Sequence, residues 1–176
     1  MWLMTGQLSY AAVGLTEPGE QVWARHPAGY RRYERTVGVG HGQRRWEVVT
    51  GAVMDWQIKT RSGFAVVPVA GGTRVREGAD YRLVAKFGPL TVREPVRVVA
   101  VVDRPERCGF AYGTLEGHPV SGEEAFIVHG TPDGAIWLTL RSLTRSSRGG
   151  WRYGFPFLLV AQRYYRRRYL RALRAG

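Results

Sequence analysis

Apolar positions recur with two periods along this chain, and the changes between them mark its elements. Trp46, Val49, Val53 and Trp56 return every three or four residues, which predicts a helix over about residues 43–58 with these side chains on one face. Thr50 and Gly51 weaken its interior, so packing must hold it. From Phe64 the period becomes two. Phe64–Val69 reads as a short strand, and Tyr81, Leu83, Ala85 and Phe87 alternate with Arg82, Val84 and Lys86, as in a sheet with one buried face. Val92 to Val102 is a long β-branched run, with Pro95 pointing to an edge or a bulge near its start. Strands over Cys108–Leu115, Ala125–Gly130 and Ala135–Leu143 follow. The last two are joined by Thr131-Pro132-Asp133-Gly134, good turn chemistry for a hairpin.

Ahead of the first helix, residues 8–39 read as extended and turn-rich, with a strand over Tyr30 to Val37. At the other end a helical pattern runs from a first-turn Pro156 to Gly176. Leu158, Ala161, Tyr165 and Ala172 share one side of it, which should bury against the sheet. Arg163, Arg167, Arg171 and Arg174 share another, which should face water. The fold class expected is α+β: a curved antiparallel sheet of six to seven strands wrapped around a long terminal helix, with one further helix near 43–58. A single domain over residues 1–176 accommodates it. This order resembles the helix-grip fold of the START and Bet v 1 superfamily, and the resemblance implies an internal cavity between sheet and helix. In the strand 108–115, Gly109, Ala111 and Gly113 fall on one face and Phe110, Tyr112 and Thr114 on the other. Either face could meet the helix.

Composition narrows the class. At 176 residues with 44% hydrophobic residues and six Trp, nine Tyr and six Phe, the chain has ample material for one core. No apolar run reaches the ~20 residues of a membrane span, and the start MWLMTGQLSY lacks a signal-peptide pattern. The single cysteine, Cys108, excludes an internal disulfide, falls within a strand, and fits a reducing cytoplasm, the localisation expected. The formal net charge is +12, and only Lys59 and Lys86 among the basic residues are lysines. A polyanion, such as nucleic acid, or an anionic membrane surface is therefore a candidate partner; a solvated basic exterior accounts for the same charge.

The segment GFAYGTLEGHPVSGEE, from Gly109 to Glu124, resembles the signature of the family catalogued as domain of unknown function nineteen-ninety. Leu8 to Thr16 looks like the opening motif of that family. Ala28-Gly29-Tyr30, Gly38-Val39-Gly40, Val101-Val102-Asp103, Trp137 and Gln162 also match its pattern, whereas Leu143-Thr144-Arg145 departs from it. The resemblance implies a helix-grip-like α+β domain and carries no established chemistry.

Candidate chemistry concentrates in Tyr112, Thr114, His118, Glu123 and Glu124. A histidine near a carboxylate can move protons near neutral pH, so His118 and Glu123 are the candidate catalytic pair; as structural residues they would cap a turn and bind backbone amides instead. No metal-ligand spacing, P-loop or nucleophile elbow occurs, and neither a metal nor a cofactor is expected. Trp46, Trp56, Tyr81, Phe110, Trp137 and Trp151 could line an apolar pocket or simply fill the core. Three functions follow. A binding domain would hold a small, largely apolar or lipid-like ligand through Tyr10, Tyr112, Thr114, Trp137 and Tyr165, Tyr10 joining only if the first segment folds back. An enzyme would use the same cavity with His118 and Glu123. A binder of polyanions or anionic membranes would use Arg163, Arg167, Arg171 and Arg174.

Overall fold

A computed structural model describes residues 6–87, 89–147 and 151–174. Strand β1 (Arg31–His41) leads into helix α1 (Gln43–Met54) and the short α2 (Gln57–Thr60). Six strands follow: β2 (Phe64–Pro68), β3 (Asp80–Phe87), β4 (Leu90–Arg104), β5 (Arg107–Thr114), β6 (Val120–Gly130) and β7 (Ala135–Ser146). Helix α3 (Trp151–Ala172) ends the fold. The seven strands form one antiparallel sheet in the order β1-β7-β6-β5-β4-β3-β2, so β1 crosses from the start of the chain to pair with the last strand. Pro95 sits inside the sheet, opposite Arg82 of β3 and just outside the β4–β5 ladder, which begins at Val96. That ladder carries a bulge between Val98 and Ala100.

The predicted helix over 43–58 is broken in two. Trp56 adopts a left-handed conformation with φ of 60°, an uncommon state for a bulky residue. Its indole is fixed between rings, 4.6 Å from Phe110 and 4.9 Å from Tyr81 by centroid. Burial of this large ring holds the strained turn, and the turn brings α2, with Lys59, under the sheet. Helix α3 begins at Trp151 and places Pro156 inside the helix, whereas the pattern of the sequence put it in the first turn.

Alternation sorts the strands into two faces. Tyr81, Leu83, Val96, Val98, Phe110 and Phe126 belong to the main core, which α1, α2 and α3 cover. The outer face is closed by the N-terminal segment. Leu15 and Trp23 bury against Leu143 there, and the fully buried Arg141 donates to the carbonyls of Glu17 at 2.6 Å and Gln21 at 3.1 Å, and to Glu34 at 2.9 Å. So the aromatic face of β5 meets the helices, and its small-residue face meets the N-terminal segment. Gly109 and Gly113 both demand glycine there: a Cβ would collide with the Phe126 carbonyl at the first and with the ring and hydroxyl of Tyr10 at the second.

Candidate functional site

Between the inner face of the sheet and α3 lies a cavity of about 110 Å³. Its apolar wall comes from Phe64, Leu158, Ala161, Tyr165 and Tyr169; its polar side includes Lys59, Glu94, Glu124, His118 and Gln162. Strand parity puts Tyr112 of β5 opposite Glu124 of β6, and both turn inward.

A buried cation organises one side. Lys59 Nζ donates to Glu124 Oε2 at 2.9 Å and to Tyr169 Oη at 2.8 Å, while the Tyr112 hydroxyl donates to the same Glu124 oxygen. The ammonium also lies 4.3 Å from the ring centre of Tyr169, 4.8 Å from Phe64 and 5.0 Å from Tyr112. Removing two charges from water is costly, and this geometry offsets it with direct pairing, hydrogen bonds and ring quadrupoles. Burial, with the Glu124 charge adding to it, pushes the Tyr112 and Tyr169 phenols well above their usual range, so both stay protonated, Tyr112 donating to Glu124 and Tyr169 accepting from Lys59.

Glu94 differs. Within 4 Å of its carboxyl lies the His118 imidazole, whose Nε2 is 3.8 Å from Oε2. Burial pushes Glu94 up to about 7, opposed by Lys59 and reinforced by Glu124. Burial and the Lys59 charge push His118 down to about 3, opposed by its bond to Val120. Near neutral pH the imidazole is therefore uncharged, and the contact is not an ion pair. A second open acceptor is Gln162: its amide nitrogen donates to Thr144 Oγ1 at 3.3 Å, while its buried Oε1 has no protein partner.

The residues expected from the sequence divide between two places. Tyr112, Thr114, His118 and Tyr165 border the cavity. Tyr10 and Glu123 meet on the outer face, because the first segment does fold back but onto the other side of the sheet. There the Glu123 carboxyl accepts from Tyr10 Oη at 2.7 Å, from the amides of Gly14 at 2.7 Å and Thr16 at 3.1 Å, and from Thr16 Oγ1 at 3.0 Å. His118 and Glu123 are thus separated by the sheet, and the carboxyl facing His118 is Glu94. Trp137 is also on the outer face, over Gly38 and 37% exposed. Trp56, Tyr81 and Phe110 pack into the core. The side chain of Trp151 and residues 1–5, with the expectation about the chain start, lie outside the described ones. Arg163, Arg167, Arg171 and Arg174 are exposed. Lys59, Glu94 and Tyr169 were not singled out as site residues. The one available signal was that Lys59 is one of two lysines in a chain that otherwise uses arginine.

Residues 9–172 match the model of the Domain of unknown function (DUF1990). The chain belongs to the DUF1990 family. A relative from Deinococcus radiodurans, a UPF0548 protein, is 34% identical over 94% of this chain and 85% of its own length. Another UPF0548 protein, from Arabidopsis thaliana, is 26% identical over 74% of this chain and 65% of its own. Among solved structures, the Bet v 1-like Ara h 8.0201 superposes with a TM-score of 0.52 at 12% identity, covering 82% of this chain and 99% of that one. A hypothetical protein from Helicobacter pylori superposes with a TM-score of 0.55 at 10% identity, over 82% and 88%. The architecture of this DUF1990 domain is the helix-grip fold, and the likeness at such low identity concerns the fold alone. Among its described residues no cluster of His, Cys, Asp and Glu could hold a metal ion, and no helix is long and apolar enough to cross a membrane.

Proposed function

We propose that this domain binds a small molecule with a largely apolar body in the cavity under α3, a donor group of the ligand meeting Glu94 and Gln162. The observation that carries the reading is the asymmetry of the cavity wall. Phe64, Leu158, Ala161 and Tyr165 offer apolar surface, while Glu94 of β4 and Gln162, among the apolar side chains of α3, bring a carboxyl and an amide oxygen to which no protein group among the described residues donates. A buried acceptor such as the Gln162 oxygen costs stability until something donates to it, and the partly exposed Glu94 carboxyl also accepts, so a ligand that meets both carries a hydroxyl or an amine. A dry cavity of ~150 Å³ holds a benzene ring. At about 110 Å³ this one takes a ring-sized or short-chain group, and a longer ligand requires α3 to yield.

Native mass spectrometry of the purified protein tests this. A co-purified small molecule, lost on Ala161→Phe with the circular dichroism unchanged, is the expected result. An empty protein that also ignores short-chain alcohols and amines in ligand-observed NMR would overturn it.

Glu94 favours a second reading, catalysis in the same cavity. A carboxyl pushed up to about 7 is poised to give or take a proton near neutral pH, and the uncharged His118 imidazole, 3.8 Å away, is placed to orient it or the substrate. Once the ligand is known, His118→Gln and Glu94→Gln would abolish its turnover while leaving its binding measurable; binding without any turnover by the parent protein excludes this reading.

A further inference from the structure

A second opening, of about 800 Å³, lies between β1 and α3, on the side of the helix away from the cavity. Strand β1 is an edge strand, and it turns Arg31, Tyr33, Arg35 and Val37 toward this opening. Two of those four positions thus carry guanidinium groups where a core would want apolar side chains. Across the gap α3 presents Arg163, Arg166, Arg167, Arg171 and Arg174, and no acidic side chain lines the groove. From Arg163 to Arg174 the row runs about 17 Å at the rise of an α-helix. Like charges facing each other across one groove repel, and an anion binding between them converts that cost into attraction.

The sequence pointed only to Arg163, Arg167, Arg171 and Arg174; Arg166 joins them on α3, and Arg31 and Arg35 through the pairing of β1 with β7. What lies among the charges narrows the partner. Val160 is 70% exposed and the half-buried Leu159 lines the same groove, so aliphatic surface lies among the guanidinium groups. A nucleic-acid strand would need free rings for its bases to stack on. Among the described residues the groove has one aromatic, Tyr33, and the Arg166 guanidinium already covers it at 4.1 Å. Guanidinium groups pair bidentately with phosphates, and aliphatic side chains between them suit the hydrocarbon just beneath a phosphate layer.

We propose that the groove between β1 and α3 docks this domain on the surface of an anionic phospholipid bilayer. Helix α3 then lies between membrane and cavity, turning Val160 and Arg163 to one and Ala161 and Tyr165 to the other. The proposal does not depend on the cavity being occupied.

Flotation with vesicles of phosphatidylcholine containing phosphatidylglycerol tests it, on the full chain at low and high salt. Arg163, Arg167 and Arg171 are exposed and, among the described residues, make no side-chain hydrogen bond; they are changed together to Gln. Arg82, Lys86 and Arg93, exposed on β3 and β4, are changed to Gln as a matched control, so each triple variant lowers the charge from +12 to +9. The parent floats with anionic vesicles and not with pure phosphatidylcholine, and high salt releases it. The groove variant loses about a hundredfold in partitioning, at roughly fivefold for each arginine near the surface; the control loses under tenfold. Circular dichroism confirms that both variants fold. Parent protein that ignores anionic vesicles at low salt overturns the proposal, as does equal loss in both variants. Tighter binding to a single-stranded oligonucleotide than to the vesicles at the same salt also overturns it and reassigns the groove.

Discussion

Glu123 and Glu124 are neighbours in the chain and live on opposite faces of the same sheet. On the outer face, Glu123 accepts four hydrogen bonds from Tyr10, Gly14 and Thr16, and Arg141 nearby is saturated by carbonyls and Glu34. On the inner face, Glu124 is committed to Lys59 and Tyr112, but among the described residues no protein group donates to Glu94 or to the Gln162 oxygen. The difference separates two uses of buried polarity. A saturated carboxyl fastens one segment to another, and an unsaturated one beside a cavity is available to a ligand.

The largest effect that would break this comparison comes from the clamp. Glu123→Ala leaves the Tyr10 hydroxyl and the amides of Gly14 and Thr16 without an acceptor, and should cost about 3–5 kcal/mol in urea unfolding. A loss under about 1 kcal/mol would mean that the N-terminal segment is held by Arg141 and Trp23 alone, and that the outer face is no clamp.

Next is the ion pair. Lys59→Met strands the Glu124 charge and should cost about 3 kcal/mol, whereas Lys59→Met with Glu124→Gln should recover most of that in a double-mutant cycle. Additive losses would show that Lys59 acts by packing against Tyr169 and Phe64 rather than by pairing.

The smallest effect sharpens the comparison through pH. Folding raises Glu94 from 4.5 to about 7, so the folded protein holds an extra proton in that window. The associated stability is present at low pH and lost as the pH rises through the window. Glu94→Gln removes the slope and should be about 1–3 kcal/mol more stable than the parent at pH 8, with the gap closing toward pH 4.5. His118 works in the opposite direction. Its folded value of about 3 lies below 6.5, so stability falls as the pH drops below 6.5, and the glutamine variant should expose that fall more clearly. Thermal unfolding across pH 4–9 reads both slopes. A variant parallel to the parent would place an unrecognised donor on Glu94.

Much of the architecture was legible because it rests on local periodicity. The alternation in β3 and β5, the Thr131–Gly134 turn and the helical spacing after Pro156 are properties of neighbouring residues, and the structure keeps them. The helix near 43–58 was legible except at Trp56, whose left-handed turn is held by rings from β3 and β5 that no local pattern announces. The site was half legible. Period two guarantees that Phe110, Tyr112 and Thr114 share a face and that Glu123 and Glu124 do not.

What the sequence alone determined, then, was which residues of each strand stand together, the presence and arginine row of the last helix, and the family motif around Gly109 to Glu124. The tertiary structure decided which of two apolar faces looks inward. Residues 124, 126 and 128 and residues 123, 125 and 127 both mix one carboxyl with apolar side chains, so parity alone cannot rank them. The choice comes from what covers each face: the helices over Tyr112 and Phe126, the returning N-terminal segment over Gly113 and Ala125. It is also what brings Lys59, Glu94 and Tyr169 to one cavity, and Arg31 and Arg35 beside the arginines of α3. Contacts between residues so distant in the chain leave no periodic trace, because they are set by the packing of whole elements and not by the spacing within any of them.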